Sequence, residues 1–204
     1  MRYTRTFVSL LVTVALGSPT FAAGPVQWTV GNGHWYEAVS VKPGSINWTS
    51  AKAAAEAKGG YLATLTSAAE DDFVFGLISS DSAYWFQGTG INSSGPWIGG
   101  FQTDTLAEPA GHFAWVTGEP WSYTNWSPGE PNNFFPGIDY VSFHGQGGNR
   151  TNVWNDNPVN GNPPTNDVVG SYIIEYNTFP VPEPASVSLL GLGAVALLRR
   201  RSKH

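Results

Sequence analysis

Four oxygen-bearing side chains of this 204-residue chain stand in two short motifs, Glu130-Pro131-Asn132 and Trp154-Asn155-Asp156. Glu130, Asn132, Asn155 and Asp156 are all hard oxygen donors, the kind that calcium gathers in sets of about six to eight. Pro131 matters as much as its neighbours. An X-Pro bond adopts the cis form at modest cost, and a cis Glu130–Pro131 bond turns both flanking side chains to one side, so one short loop supplies two ligands. The same set suits a vicinal diol held on the ion. Its hydroxyl protons go to the carboxylates of Glu130 and Asp156, and its oxygens accept from the amides of Asn132 and Asn155. The competing reading of Glu130-Pro131-Asn132 is a plain surface turn, which Pro and Asn also favour.

Nothing in that arrangement needs a catalytic acid or base, and composition excludes several other chemistries. The absence of cysteine excludes disulfides, Cys-ligated zinc, iron–sulfur clusters and thiol nucleophiles. His34, His112, His144 and His204 form no HExxH or paired spacing, and no serine sits in a Gly-x-Ser-x-Gly elbow. An enzyme is therefore not expected. Residues 24–182 carry four basic and fourteen acidic side chains, a balance of −10. A surface that acidic repels nucleic acid and anionic lipid and favours cations, so nucleic-acid binding is excluded.

Both ends stand apart from the domain. Residues 1–23 carry Arg2 and Arg5, the apolar stretch Phe7–Leu16 and a small-residue close at Ala22-Ala23, the pattern of a secretory signal peptide. The other end, 179–204, has Pro182-Glu183-Pro184, an uncharged stretch 185–198 and a basic terminus. It reads as a short transmembrane helix whose basic end stays cytoplasmic.

The elements that must position the site lie between, in a domain over 24–178. The polar residues of Asn47-Trp48-Thr49-Ser50 suit an N-cap for a helix that runs on through Ala51 to Lys58 and stops at Gly59-Gly60, with a buried face of alanine. Ser67-Ala68-Ala69-Glu70 reads as a capping box for a second helix presenting Phe73, Val74, Leu77 and Ile78 on one side, with Asp71 and Asp72 on its solvated surface. Beyond residue 80, aromatic and β-branched runs at 83–86, 97–98, 112–116, 139–143 and 171–176 predict strands. The segments 117–138 and 155–170 predict long loops, of the kind that is commonly functional or disordered. The fold class is α+β, its last strand free to return beside its first. Trp97, Trp115, Trp126 and Trp154 are expected in the core, Trp154 as the anchor of its loop. Phe134 and Phe135 cannot both be buried easily, and one is a candidate to stack on a sugar ring or a partner.

These pieces together resemble a C-type lectin-like domain over about residues 27–176. They are Trp35-Tyr36, the helix with Gly59-Gly60-Tyr61-Leu62-Ala63, Trp97-Ile98-Gly99-Gly100, Tyr123-Thr124-Asn125-Trp126, Glu130-Pro131-Asn132, Trp154-Asn155-Asp156 and Tyr172-Ile173-Ile174-Glu175-Tyr176. The resemblance implies two helices packed on antiparallel sheets with a long-loop region, a calcium-dependent glycan site of mannose type, and Asn155 and Asp156 completing that site. It also implies an acidic ligand eight residues after Glu130. Ile138 stands there, with Asp139 next to it. Either Asp139 enters the site from a rearranged loop, or the ion has one ligand fewer and binds weakly. The half-cystine positions of the resemblance fall near Ala54 or Ala55, at Tyr140, after Asp156 and at Ile174, so packing alone must hold the core. The C-terminal segment resembles the PEP-CTERM sorting signal of Gram-negative bacteria. That implies export, transient inner-membrane anchoring, processing by an exosortase near Pro182-Glu183-Pro184, and an extracellular or cell-surface product among exopolysaccharide. A structural or protein-binding domain of the matrix on the same fold, its calcium site weak or lost, is the second role this resemblance permits.

Overall fold

The two capped helices form where their caps place them. In the computed structural model, which describes residues 24–87, 90–104, 108–134, 137–161 and 168–180, helix α1 spans Trp48–Ala57 and helix α2 spans Ala68–Ile78. The Asn47 side chain accepts the Ser50 N–H at 2.7 Å, filling one of the orphan donors at the start of α1. Replacing Asn47 with alanine should cost about 1 kcal/mol in a urea titration, and a loss below a few tenths would show that the cap is idle. Helix α1 buries Trp48, Ala51 and Ala55. Its alanines let it lie close against strands β3 (Tyr61–Leu62) and β9 (Ser171–Tyr176). The chain is tight at this point: a Cβ built at Gly60 would fall 2.6 Å from the Glu175 carbonyl oxygen.

The second helix departs from expectation in its acidic turn. Ser67 Oγ accepts the Glu70 N–H, but the Glu70 carboxylate does not return to the Ser67 backbone. It turns inward, accepting from the Thr66 backbone at 2.8 Å and hydroxyl at 2.9 Å, and from Tyr36 and Asn32. Asp71, expected on a solvated surface, is fully buried. Its neighbours on the helix, Val74 and Ile78, are buried with it, while Asp72 remains at the surface and accepts from Asn152 Nδ2 at 2.7 Å. Helical periodicity alone assigns a carboxylate to water; here donors on Tyr123 and Asn125 of the long loop and on Trp154 of a strand replace that water.

The remaining strands among the described residues are β1 (Val26–Gln27), β2 (Trp35–Ser40), β4 (Phe86–Gln87), β5 (Ser93–Gln102), β6 (Phe113–Trp115), β7 (Ile138–Gln146) and β8 (Asn149–Pro158). They pair in the order β1-β2-β9-β5-β7-β8, with β3 on β9 and with β4 and β6 on β5. Strand β9 returns antiparallel beside β2 over six residue pairs, from Trp35–Tyr176 to Ser40–Ser171, as the α+β reading allowed. On its other side it meets β5 in parallel at Trp97–Tyr172. Gly99 of β5 lets the strand approach β3, since a Cβ there would lie 2.5 Å from the Leu62 carbonyl oxygen.

Strand β8 corrects the expectation of a loop beginning at 155. Its sequence, Asn-Arg-Thr-Asn-Val-Trp-Asn-Asp-Asn-Pro, is too polar to show strand alternation, yet it pairs with β7 from Gln146–Asn149 to Ile138–Pro158. The ladder satisfies its backbone and Trp154 buries its centre. Among the described residues, the segment 117–137 runs without strands apart from a single bridge between Trp126 and Trp154.

Packing replaces disulfides throughout. Ala55 and Ile174 are fully buried in one apolar cluster, and Tyr140 packs its ring 4.7 Å from that of Trp48. A second cluster gathers Trp85, Trp115, Trp154, Phe143 and Ile98. Among the described residues no helix is long and apolar enough to cross a membrane. The expected signal segment, Phe135, the segment 185–198 and Pro182-Glu183-Pro184 lie outside the described residues.

Candidate functional site

Trp154 is the post on which the site is built. Its side chain is fully buried, ringed by Trp115, Trp121, Tyr123 and Trp126 at centroid distances of 5.6, 6.1, 5.6 and 6.0 Å. Its backbone holds the long loop on both sides: Trp154 N–H donates to Asn125 O at 2.8 Å, and Ser127 N–H donates to Trp154 O at 2.8 Å. From Ser127 the loop turns, with Glu130 N–H donating to Ser127 O at 2.9 Å. The Glu130–Pro131 bond is cis, the conformation in which the motif can present both flanking side chains.

Asp156, two residues beyond Trp154, then gathers the loop. Its carboxylate is buried and accepts Asn133 N–H at 3.0 Å and Asn132 N–H at 3.4 Å. Glu130 lies against it: burial, then a hydrogen bond to Asp156 and its charge, push the Glu130 carboxyl up to about 7. Asp139 sits where the β7–β8 register shifts, and burial followed by the Asp156 charge raises its carboxyl as well.

Four buried oxygens in this region have no hydrogen-bond partner: Glu130 Oε2, Asn133 Oδ1, Asp139 Oδ1 and Asn155 Oδ1. Each belongs to a residue that lines the same cleft or meets Asp156. Buried polar groups are ordinarily satisfied, so a cluster of orphaned oxygens beside acids of raised pKa is what a hard cation's ligands look like without the cation. Among the described residues no three His, Cys, Asp or Glu form a metal site by themselves. Any cation held here would need amide oxygens as well, and Asn133, in a left-handed conformation at φ 43° with its buried Oδ1 unpartnered, is a residue beside the motif that sequence reasoning did not single out. Its position beside the motif was the available signal, since Asn tolerates that conformation where most residues do not. Asn132 differs from expectation in detail: it lines the cleft, but its Oδ1 accepts the Phe134 N–H at 2.8 Å.

The cleft beside these oxygens encloses about 390 Å³. Glu130, Asn132, Asn155 and Asp156 line it together with Ser94, His144 and Gln146, and so does Phe134, which is 74% exposed.

The sheet order, the two helices and the long loop bridged at Trp154 define a C-type lectin-like fold. The C-type lectin CEL-I from Cucumaria echinata superposes with a TM-score of 0.52 at 23% identity, covering 72% of this chain and 91% of that one. Two relatives match by sequence: the low affinity immunoglobulin epsilon Fc receptor of Mus musculus, 35% identical over 113 residues, and the galactose-specific lectin nattectin of Thalassophryne nattereri, 31% identical over 112. Each match covers 55% of this chain, and 28% and 61% of the respective relative. The PEP-CTERM protein-sorting motif matches residues 180–202. The chain thus has a C-type lectin-like fold and carries a PEP-CTERM sorting motif, which marks an exported protein processed at a C-terminal signal. By name these two relatives are a receptor and a lectin.

Proposed function

We propose that the protein is a calcium-dependent glycan-binding protein of the cell exterior, with a mannose-type site, acting on exopolysaccharide or other glycans of the extracellular matrix. The observation that carries this reading is the group of four unpartnered buried oxygens around Asp156, at the wall of a polar cleft. Glu130, Asn155 and Asp156 would hold the ion with Asp139, and Asn132 would join by exchanging its bond to Phe134. Bound calcium would supply two coordination positions to a vicinal diol. Glu130 and Asp156 accept the diol's protons, and the Asn132 and Asn155 amides donate to its oxygens. Nattectin is named galactose-specific; the order Glu130-Pro131-Asn132, with its amide after the proline, supports mannose-type hydroxyls here instead. The match over 180–202 supports membrane anchoring of a precursor and processing by an exosortase near Pro182-Glu183-Pro184. One observation favours a protein-binding domain with a weak ion site: the Asn132 oxygen is already held by its own loop.

Calorimetric titration of the protein with calcium, with and without mannose, separates the two. A site in the extracellular range, Kd about 10⁻⁴–10⁻³ M, would stabilise the fold by about 1.4–2.7 kcal/mol at about 10 mM calcium. Uptake should be saturable, strengthen with mannose, and vanish in Asn155→Ala and Glu130→Ala. No uptake up to about 10 mM overturns the calcium-dependent reading and leaves the protein-binding one.

A further inference from the structure

The four basic side chains of the acidic domain divide into two kinds. Lys52 and Lys58 are spent on ion pairs with Glu56 and Glu37. Lys42 and Arg150 form no ion pair among the described residues, and both line a second cleft of about 300 Å³ with Ser82, Trp85, Gln87 and Ser93. They come from distant parts of the chain, Lys42 just after β2 and Arg150 at the start of β8. Each is fixed by backbone oxygens: the Lys42 ammonium donates to the Ser82 carbonyl at 3.0 Å and to the Trp85 carbonyl, and the Arg150 guanidinium donates to the Ser79 carbonyl at 2.8 Å. The Phe86 ring lies under the ammonium at 4.9 Å.

Like charges placed together and held by neutral groups keep most of their field. Burial and then the nearby Arg150 charge lower the Lys42 pKa, against a smaller opposing effect of Asp81, so each cation feels the other. Carbonyls and a ring orient the pair without neutralising it, and donors remain: one of three on Lys42, and four of five on Arg150. A pair of this kind is complementary to one oxyanion, because two charge-assisted hydrogen bonds relieve the repulsion. The surrounding charge of −10 repels free anions. An anion that arrives attached to something already bound escapes that penalty, and Ser93 forms a wall of this cleft and of the cleft at Glu130 and Asn155 alike.

We propose that Lys42 and Arg150 form an anion subsite that takes the carboxylate or sulfate of an acidic saccharide, one step along the chain from the sugar at the Glu130–Asn155 cleft. The subsite stands on its own residues; its continuity with the sugar cleft rests on the reading of that cleft given above. The ligand class is an acidic polysaccharide.

The test is titration of the full-length protein with a uronic-acid oligosaccharide, its carboxyl-reduced neutral counterpart and its sulfated neutral counterpart, in calcium and in EDTA. In calcium the acid should bind about tenfold more tightly than the neutral form, and Lys42→Met and Arg150→Met should each abolish that preference while leaving neutral binding intact. A preference for the sulfated form of the same size identifies sulfate as the source; none identifies the carboxylate. If the neutral form fails to bind in calcium, the sugar cleft is misread, yet acid binding in EDTA that is lost in both variants still upholds the subsite. Equal affinity of all three forms, or a preference that persists in both variants, overturns it.

Discussion

Trp154→Ala should destabilise the fold by about 3–5 kcal/mol, the range for truncating a fully buried large aromatic, and should abolish calcium-dependent stabilisation at the same time. The two losses have one cause. The indole fills the space between Trp115, Trp121, Tyr123 and Trp126, and the backbone of the same residue holds Asn125 and Ser127 on either side of the loop that bears Glu130. Trp154→Phe keeps part of that packing and should keep a measurable response to calcium. Urea unfolding of each variant, with and without about 10 mM calcium, reads both quantities. A Trp154→Ala protein that unfolds within about 1 kcal/mol of the native one would show that the loop is held by something else.

Asp71→Ala is expected to cost about 2–4 kcal/mol, because it strands donors already withdrawn from water. Asp71 accepts Asn125 Nδ2 at 2.8 Å and Tyr123 Oη at 3.0 Å, and Trp154 Nε1 approaches at 3.4 Å. One carboxylate on α2 therefore positions three residues of the site's support. Burial pushes the Asp71 carboxyl from 3.8 to about 7, against the lowering effect of those three hydrogen bonds. A raised pKa means that the folded state binds this proton more tightly than the unfolded state. Its contribution to stability is full below about pH 4 and is lost as pH rises through about 7. Asp71→Asn, which cannot ionise, should flatten that part of the stability profile between about pH 4 and 7. An unchanged slope would mean that Asp71 ionises as freely inside the fold as outside it.

Asp71 also marks the limit of what the sequence makes legible. The first helix begins within the polar segment read as its cap and the second at the residue its capping box indicates, because capping is local: Asn47 and Ser67 act on N–H groups three residues away. The burial of Glu70 and Asp71 depends on Tyr36, Tyr123 and Asn125, between 34 and 54 positions distant, and no periodicity within α2 reports such partners. Strand β8 was hidden for the same reason, since its pairing with β7 is written in the ladder and not in alternation. The site itself was better exposed. Glu130, Asn132, Asn155 and Asp156 can be picked out by donor type, and they do converge on one cleft. Asn133 could not be read, because its place follows from a left-handed backbone conformation; for Asp139 the sequence offered entry to the site as one of two arrangements, and its place at a shift of register is beyond what alternation reports.

The place of β9 in the sheet has a mechanical meaning for a protein that ends in a sorting tail. The chain leaves the domain from this strand, which lies between β2 and β5 and not at an edge. Tension along the departing chain pulls β9 lengthwise. The six residue pairs it makes with β2 then share the load in shear instead of parting one at a time, as they would if an edge strand were peeled away. The Glu130 loop and its hairpin β7–β8 lie on the far side of β5 from that line of force. A domain tugged by its tail would therefore take the load at a strand braced on both sides, away from the cleft at Glu130.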